Sequence, residues 1–139
     1  MTGGRRTRAR MAGARFGVSP GLTSAVAEAA KEAGFPLLPG AVTASEIMAA
    51  RDRGFTALKF FPAKAMGGLD ALRNFVPVFA DVVFCPTGGI GQADGPSFLA
   101  LPNVLCYGSA WVATAELIRA RDWKTITANA RIAAAQKKA

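Results

Sequence analysis

Five short apolar runs, each stopped by Pro or Gly and separated by segments of helical spacing, recur along this 139-residue chain. The runs are Phe16-Gly17-Val18 before Ser19-Pro20-Gly21, Phe35 to Leu38 before Pro39-Gly40, and Thr56 to Phe61 before Pro62. Val82 to Cys85 follows, before Pro86-Thr87-Gly88-Gly89, and then Val104 to Tyr107 before Gly108-Ser109. Runs apolar on both faces read as strands of a parallel sheet covered by helices rather than as one-sided antiparallel strands.

The intervening segments supply the helices. Residues 22–33 are Ala-rich, with Glu28, Lys31 and Glu32 on the solvated side. Residues 43–53 open as Thr43-Ala44-Ser45-Glu46, which has the form of a capping box. Residues 69–79 place Leu69, Leu72, Phe75 and Val76 at helical spacing, 94–101 reads as a short helix, and 115–119 and 123–137 close the series. The fold class is therefore α/β, with about five parallel strands and covering helices. It is read either as an open doubly wound sheet or as part of a (β/α)8 barrel. A complete barrel of that kind takes ~250 residues, or ~200 in compact cases, so five βα units are too few to close one.

Composition narrows the function classes. With 51% hydrophobic and 19% charged residues the chain can build a core. No apolar run approaches the ~20 residues of a membrane span, and no apolar segment follows the basic start as a secretory signal would require. The net charge of +8 is concentrated at the start, where Arg5, Arg6, Arg8, Arg10 and Arg15 carry five of the 17 basic residues. Such a tail could bind nucleic acid through phosphates, with steep salt dependence and loss on deletion of residues 1–10. It has no interleaved aromatics and no binding motif after it, which disfavours that reading. Cys85 and Cys106 lie in strand-like runs and read as reduced, structural residues, consistent with a cytoplasmic protein. The absence of histidine removes Ser/His and Cys/His pairs and any histidine metal site, so no metal or cofactor is expected.

Lys59 is the residue with the most chemical content. It stands among Leu58, Phe60 and Phe61 in the third run. Burial disfavours an ammonium, so a lysine inside a strand is expected to lean toward the neutral amine, a nucleophile for carbonyl carbon. The structural alternative is a lysine whose stem packs while its head reaches water. The Pro and Gly stops all fall at the C-terminal ends of strands, where α/β proteins build their sites. Thr87-Gly88-Gly89-Ile90-Gly91 could bring backbone N–H groups close to an anion, and Gly108-Ser109 ends the adjacent run. The spacing fits neither a Walker loop nor a dinucleotide fingerprint.

Five stretches, in order, resemble the 2-keto-3-deoxy-6-phosphogluconate (KDPG) aldolases, which also act on 4-hydroxy-2-oxoglutarate. They are Ser19-Pro20-Gly21, Leu38-Pro39-Gly40, Lys59-Phe60-Phe61-Pro62-Ala63, Phe84-Cys85-Pro86-Thr87-Gly88-Gly89-Ile90, and Leu101 to Cys106. The resemblance covers residues 12–139 as a truncated aldolase barrel domain, with 1–11 as a basic unaligned tail. It implies a class I aldolase on a (β/α)8 TIM barrel, commonly a trimer. The reaction it implies cleaves 2-dehydro-3-deoxy-6-phosphogluconate to pyruvate and glyceraldehyde 3-phosphate in the Entner-Doudoroff route of carbohydrate metabolism. Under the resemblance Lys59 is the Schiff-base lysine. Pro39 packs by the substrate, Thr87 lies near it, and Gly88, Gly89, Gly108 and Ser109 line its phosphate. The partners implied are a phosphorylated keto acid, pyruvate and further copies of the chain.

Three departures shape the expectation. The family's first three strands, which carry a glutamate that moves protons and an arginine for the substrate carboxylate, have no counterpart in the matching stretches. Ala110 occupies the usual serine position of the Gly-Gly-Ser-Trp stretch, which here reads Gly108-Ser109-Ala110-Trp111. Lys64 stands where many members carry glutamate. The chain is thus expected to be a fragment with a misread start, an inactive remnant, or a subunit that associates with strands from another chain. Glu46 reads as a cap, and Asp94 as a weak substitute for the missing carboxylate.

Overall fold

Thr43 shows how closely local chemistry fixes an element here. Its side chain accepts a hydrogen bond from Glu46 N while the Glu46 carboxylate accepts from the N–H groups of Val42 and Thr43, both at 2.9 Å. The capping box read from the sequence is therefore formed, and it starts the helix Ala44–Arg51. The backbone N–H groups, Val42 first, hold the Glu46 carboxyl below its ordinary range. A depressed carboxyl stabilises the fold above its unfolded value, 4.5, and this contribution is lost as pH falls through the lower folded value. Thr43→Ala is expected to cost about 1 kcal/mol near neutral pH, measured as a lower urea midpoint at unchanged slope.

The computed structural model describes residues 11–136. Apart from exposed Met11, the basic tail read over 1–11 lies outside the described residues. The chain divides into two compact units that meet in sequence at Phe61 and Pro62. Both are α/β with parallel pairing.

The first unit runs β1 (Gly17–Val18), α1 (Ser24–Glu32), β2 (Leu37–Leu38), α2 (Ala44–Arg51) and β3 (Ala57–Phe60). β1 pairs with β2 in parallel, Gly17 opposite Leu37 and Val18 opposite Leu38. A parallel bridge joins Gly40 to Lys59, so the chain beyond β2 lies along β3. α1 turns Val26, Ala27 and Ala30 into the core, and α2 turns in Ile47 and Ala50. Leu58 and Phe60 of β3 are fully buried, worth roughly 1.5–3 kcal/mol each. Val18 of β1 and Phe16, just before it, are 42% and 62% exposed.

The second unit contains a 3-10 turn (Lys64–Met66), α3 (Gly68–Phe75), β4 (Val83–Pro86), α4 (Gly95–Leu99), α5 (Ala115–Arg119) and α6 (Trp123–Ala135). Its core gathers Leu72, Phe79, Val82, Phe84, Phe98, Leu99 and Val104. The Phe75 ring stacks on Phe84 at 5.9 Å and meets Phe79 edge-on at 5.7 Å. Buried Asn103 donates through Nδ2 to Leu72 O at 2.8 Å, satisfying one of the last-turn carbonyls of α3 that has no intrahelical partner.

The strand expected over Val104 to Tyr107 takes a different form. It consists of two isolated parallel bridges, Phe84 to Val104 and Thr87 to Gly108. Phe84 N donates to Asn103 O, Leu105 N to Phe84 O and Gly108 N to Pro86 O. Pro86 has no N–H for the next rung, and the pairing offset grows by one residue between the bridges. That extra residue acts as a bulge and interrupts the ladder.

Candidate active site

The third strand runs Ala57-Leu58-Lys59-Phe60 with its burial alternating along the chain. Leu58 and Phe60 take the fully buried face, so Lys59, between them, falls on the other and is half-buried. Of the two readings of Lys59 in the sequence, half burial fits the lysine whose stem packs while its head reaches outward, because strand side chains alternate faces. The Lys59 ammonium lies 4.5 Å from the centre of the Phe61 ring, whose electron-rich face attracts a cation.

The backbone around Lys59 is fixed on both sides. Lys59 N donates to Pro39 O at 2.8 Å, and Ala41 N donates to Lys59 O at 2.9 Å. Pro39, a predicted site residue, is thereby brought to the lysine within the first unit. Gly40 between them passes against the backbone of Pro20, where an added Cβ would lie 2.0 Å from Pro20 O. Three of the stretches singled out in the sequence, at 19–21, 38–40 and 59–61, meet here for packing reasons.

In the second unit Thr87, Gly88, Gly89, Gly108 and Ser109 come together. Gly88 and Gly89 have φ of 108° and 76°, a left-handed pair that L side chains rarely adopt. The turn is held from one side by Ala63 N donating to Thr87 O at 2.8 Å and Lys64 N donating to Gly88 O at 3.3 Å. From the other side Gly108 bridges to Thr87, and the Ser109 hydroxyl donates to Ile90 O. The Thr87 hydroxyl donates to Cys85 O at 3.3 Å. With no side chain on either glycine, the backbone of this turn is left uncovered there.

Two charged residues frame this turn. Lys64 packs its stem on Gly89, and its ammonium pairs with Asp94 Oδ2 at 2.7 Å. The same carboxylate oxygen accepts from Gly91 N at 2.7 Å. Lys64 first, and then the Gly91 N–H, hold the Asp94 carboxyl below its ordinary range. Asp94 is thus engaged in securing the turn. Each residue was visible in the sequence, Lys64 as a departure and Asp94 as a stray carboxylate, but nothing in their spacing of thirty positions signals the pair.

Cys106, read as a structural thiol inside a strand, is exposed, and Cys85 is half-buried; neither forms a disulfide. The broken ladder explains the difference, since the bulged segment leaves Leu105 and Cys106 turned to solvent. Among the described residues no cluster of three or more metal-binding side chains occurs, and no helix is long and apolar enough to cross a membrane.

The chain is similar to known aldolases over most of its length. It is 48% identical over 120 residues to the KHG/KDPG aldolase of Escherichia coli strain K12, covering 86% of this chain and 56% of that protein. It is 44% identical over 124 residues to the 2-dehydro-3-deoxy-phosphogluconate aldolase of Pseudoalteromonas atlantica, covering 89% and 58%. The chain thus spans somewhat more than half the length of these relatives. The solved KDPG aldolase of Legionella pneumophila, with pyruvate captured at low pH as a covalent carbinolamine intermediate, superposes with a TM-score of 0.91 at 39% identity. That match covers 96% of this chain and 65% of the other. A family model described as KDPG and KHG aldolase matches residues 2–129, through the lysine strand and the Thr-Gly-Gly turn alike, and the chain belongs to that family.

Proposed function

We propose that the chain carries the Schiff-base half of a class I aldolase, and that its four parallel strands and the bridged segment 104–108 correspond to five of the eight strands in a (β/α)8 barrel. The observation that carries this reading is Lys59, held by paired backbone hydrogen bonds beside Pro39 in a chain of this family. Its amine, when neutral, attacks the keto carbon of the substrate, giving a carbinolamine that loses water to a protonated imine. The imine draws the electrons of the bond between C3 and C4 as that bond breaks. The aldehyde product leaves, and an enamine of pyruvate remains on the lysine. Protonation and hydrolysis of the enamine return pyruvate and the free amine.

The remaining roles are assigned residue by residue. Pro39 and Thr87 contact the keto acid. The Gly88 and Gly89 backbone, with Gly108 and Ser109, receives its phosphate, since left-handed glycines expose N–H groups to an anion. The substrate under this reading is 2-dehydro-3-deoxy-6-phosphogluconate and the second product is glyceraldehyde 3-phosphate. The compartment is the cytoplasm, and the assembly is a homo-oligomer, a trimer as in the family.

Proton transfer limits this chain on its own. Glu46 is bound to its own helix start and Asp94 to Lys64 and Gly91, so neither is placed as the base that removes the hydroxyl proton. The chain alone is therefore proposed to form the imine poorly, in an amount that borohydride still accumulates as reduced adduct, and to turn over little substrate. A second reading, that it is an inactive subunit working by association, is favoured by the exposed Val18 of β1 and Phe16 just before it. Apolar side chains on a strand of this kind invite pairing with another chain.

Borohydride reduction in the presence of pyruvate, followed by peptide mapping, tests the first reading. A reduced pyruvyl adduct on Lys59 is the expected result. Folded protein that leaves Lys59 unmodified while another lysine, or none, is trapped would remove the aldolase assignment from this chain.

A further inference from the structure

Cys85 and Cys106 lie on neighbouring parallel segments, in the gap between two bridges. Phe84 pairs with Val104 below them and Thr87 with Gly108 above. The one-residue growth in offset between those bridges brings Cys106, rather than only Leu105, abreast of Cys85. Neighbouring strands run about 4.8 Å apart, within the Cα separations of roughly 4.4–6.8 Å that a disulfide spans. Cys106 is exposed and lines a surface cavity of about 290 Å³ together with Tyr107, Ser109 and Gln136. Cys85 is half-buried behind it, with its sulfur 4.0 Å from the Thr87 hydroxyl. An exposed thiol with a second thiol at its back is the arrangement of an attacking and a resolving cysteine.

We propose that Cys85 and Cys106 form a modification site, a cross-strand dithiol that hydroperoxides close to a disulfide. The Cys106 thiolate attacks the terminal oxygen of the peroxide, the O–O bond breaks, and hydroxide, or the alkoxide of an organic hydroperoxide, leaves with the electron pair. This gives a sulfenic acid on Cys106. The Cys85 thiol then attacks that sulfur, the S–O bond breaks, and water leaves. Two electrons pass from the pair of sulfurs to the peroxide, and the two thiol protons end on its two oxygens, as water from hydrogen peroxide or as water and an alcohol from an organic hydroperoxide. Hydrogen bonding from Cys85 outweighs burial and brings the Cys106 thiol down to about 6, so the attacking form is abundant at neutral pH. Closing the bridge draws the Cys85 sulfur away from the Thr87 hydroxyl, which also donates to Cys85 O, so the change is felt at the glycine turn. The site stands on the two segments themselves and is independent of whether Lys59 forms an imine.

The test treats the full chain with hydrogen peroxide, blocks remaining thiols, and maps peptides without reduction. A linked Cys85–Cys106 peptide, two hydrogens lighter than the pair and restored by dithiothreitol, is expected. Cys85→Ser is expected to halt at a sulfenic acid on Cys106 that dimedone captures, and Cys106→Ser to form no link. Iodoacetamide labelling of Cys106 is expected to rise only about twofold from pH 6 to pH 8, against nearly a hundredfold for an ordinary thiol. Oxidation of Cys106 to sulfinic acid or to intermolecular dimers while Cys85 stays open to alkylation would overturn the proposal.

Discussion

Lys59→Met leaves the chain folded and removes the borohydride-trapped pyruvyl adduct, with any cleavage activity falling on the order of a thousandfold or more. Methionine keeps the unbranched stem and can rest a polarizable sulfur on the Phe61 ring where the ammonium now lies. The strand backbone is unaffected, because its bonds to Pro39 O and from Ala41 N use main-chain atoms. The stability change is therefore expected within about 1 kcal/mol, and loss of the adduct reports chemistry rather than unfolding. Lys59→Arg should lose the adduct equally, since a guanidinium stays protonated and does not form an imine. An adduct that persists in either variant would place the nucleophile elsewhere, with Lys64 at the glycine turn the first residue to map.

Gly40→Ala acts through the backbone and should be the most destabilising single methyl in the first unit. The added Cβ would meet Pro20 O at 2.0 Å, Pro20 C at 2.3 Å and Gly21 N at 2.8 Å. All three are main-chain atoms, so no side-chain rotation relieves the overlap, and one of the two strand-end segments must move. The cost is expected above about 3 kcal/mol, a large part of the 5–15 kcal/mol that holds a domain. Far-UV circular dichroism during urea unfolding should show the first unit melting early or unfolded from the outset. Gly21→Ala is the control, because nothing lies within 4 Å of its added Cβ and its φ is not positive. Equal midpoints for the two variants would show that Pro20 moves freely, and with it that the meeting of strand ends around Lys59 is loose. Because Gly40 also bridges to Lys59, a partly folded Gly40→Ala chain should trap less pyruvate even at matched folded fraction.

The parts of this architecture that were legible in the sequence are those decided within a few residues. The capping box at Thr43 and Glu46 and the Pro and Gly stops are set by local hydrogen bonding and φ. Four of the five apolar runs became strands, though β1 and β2 are only two residues long. The last run did not, because whether a strand forms depends on its partner, and its partner presents Pro86 where an N–H was needed. Lys59 was found by residue type, but its exposure stayed open between two readings, since a continuous apolar run conceals which face a side chain takes. The grouping of Thr87, Gly88 and Gly89 with Gly108 and Ser109 followed from the shared strand-end position. The Lys64–Asp94 pair and the exposure of Cys106 did not, because both are products of how distant segments register.

The division of the chain at Phe61 and Pro62 decides what light can report. Trp111 and Trp123, and Tyr107, all lie in the second unit, so the first contains neither of the strongly emitting side chains. Tryptophan emission therefore follows the glycine-turn unit and is blind, in any direct sense, to the strand that carries Lys59. A fluorescence melt that looks native certifies only half of the molecule, and the half it leaves out is the one that holds the nucleophile.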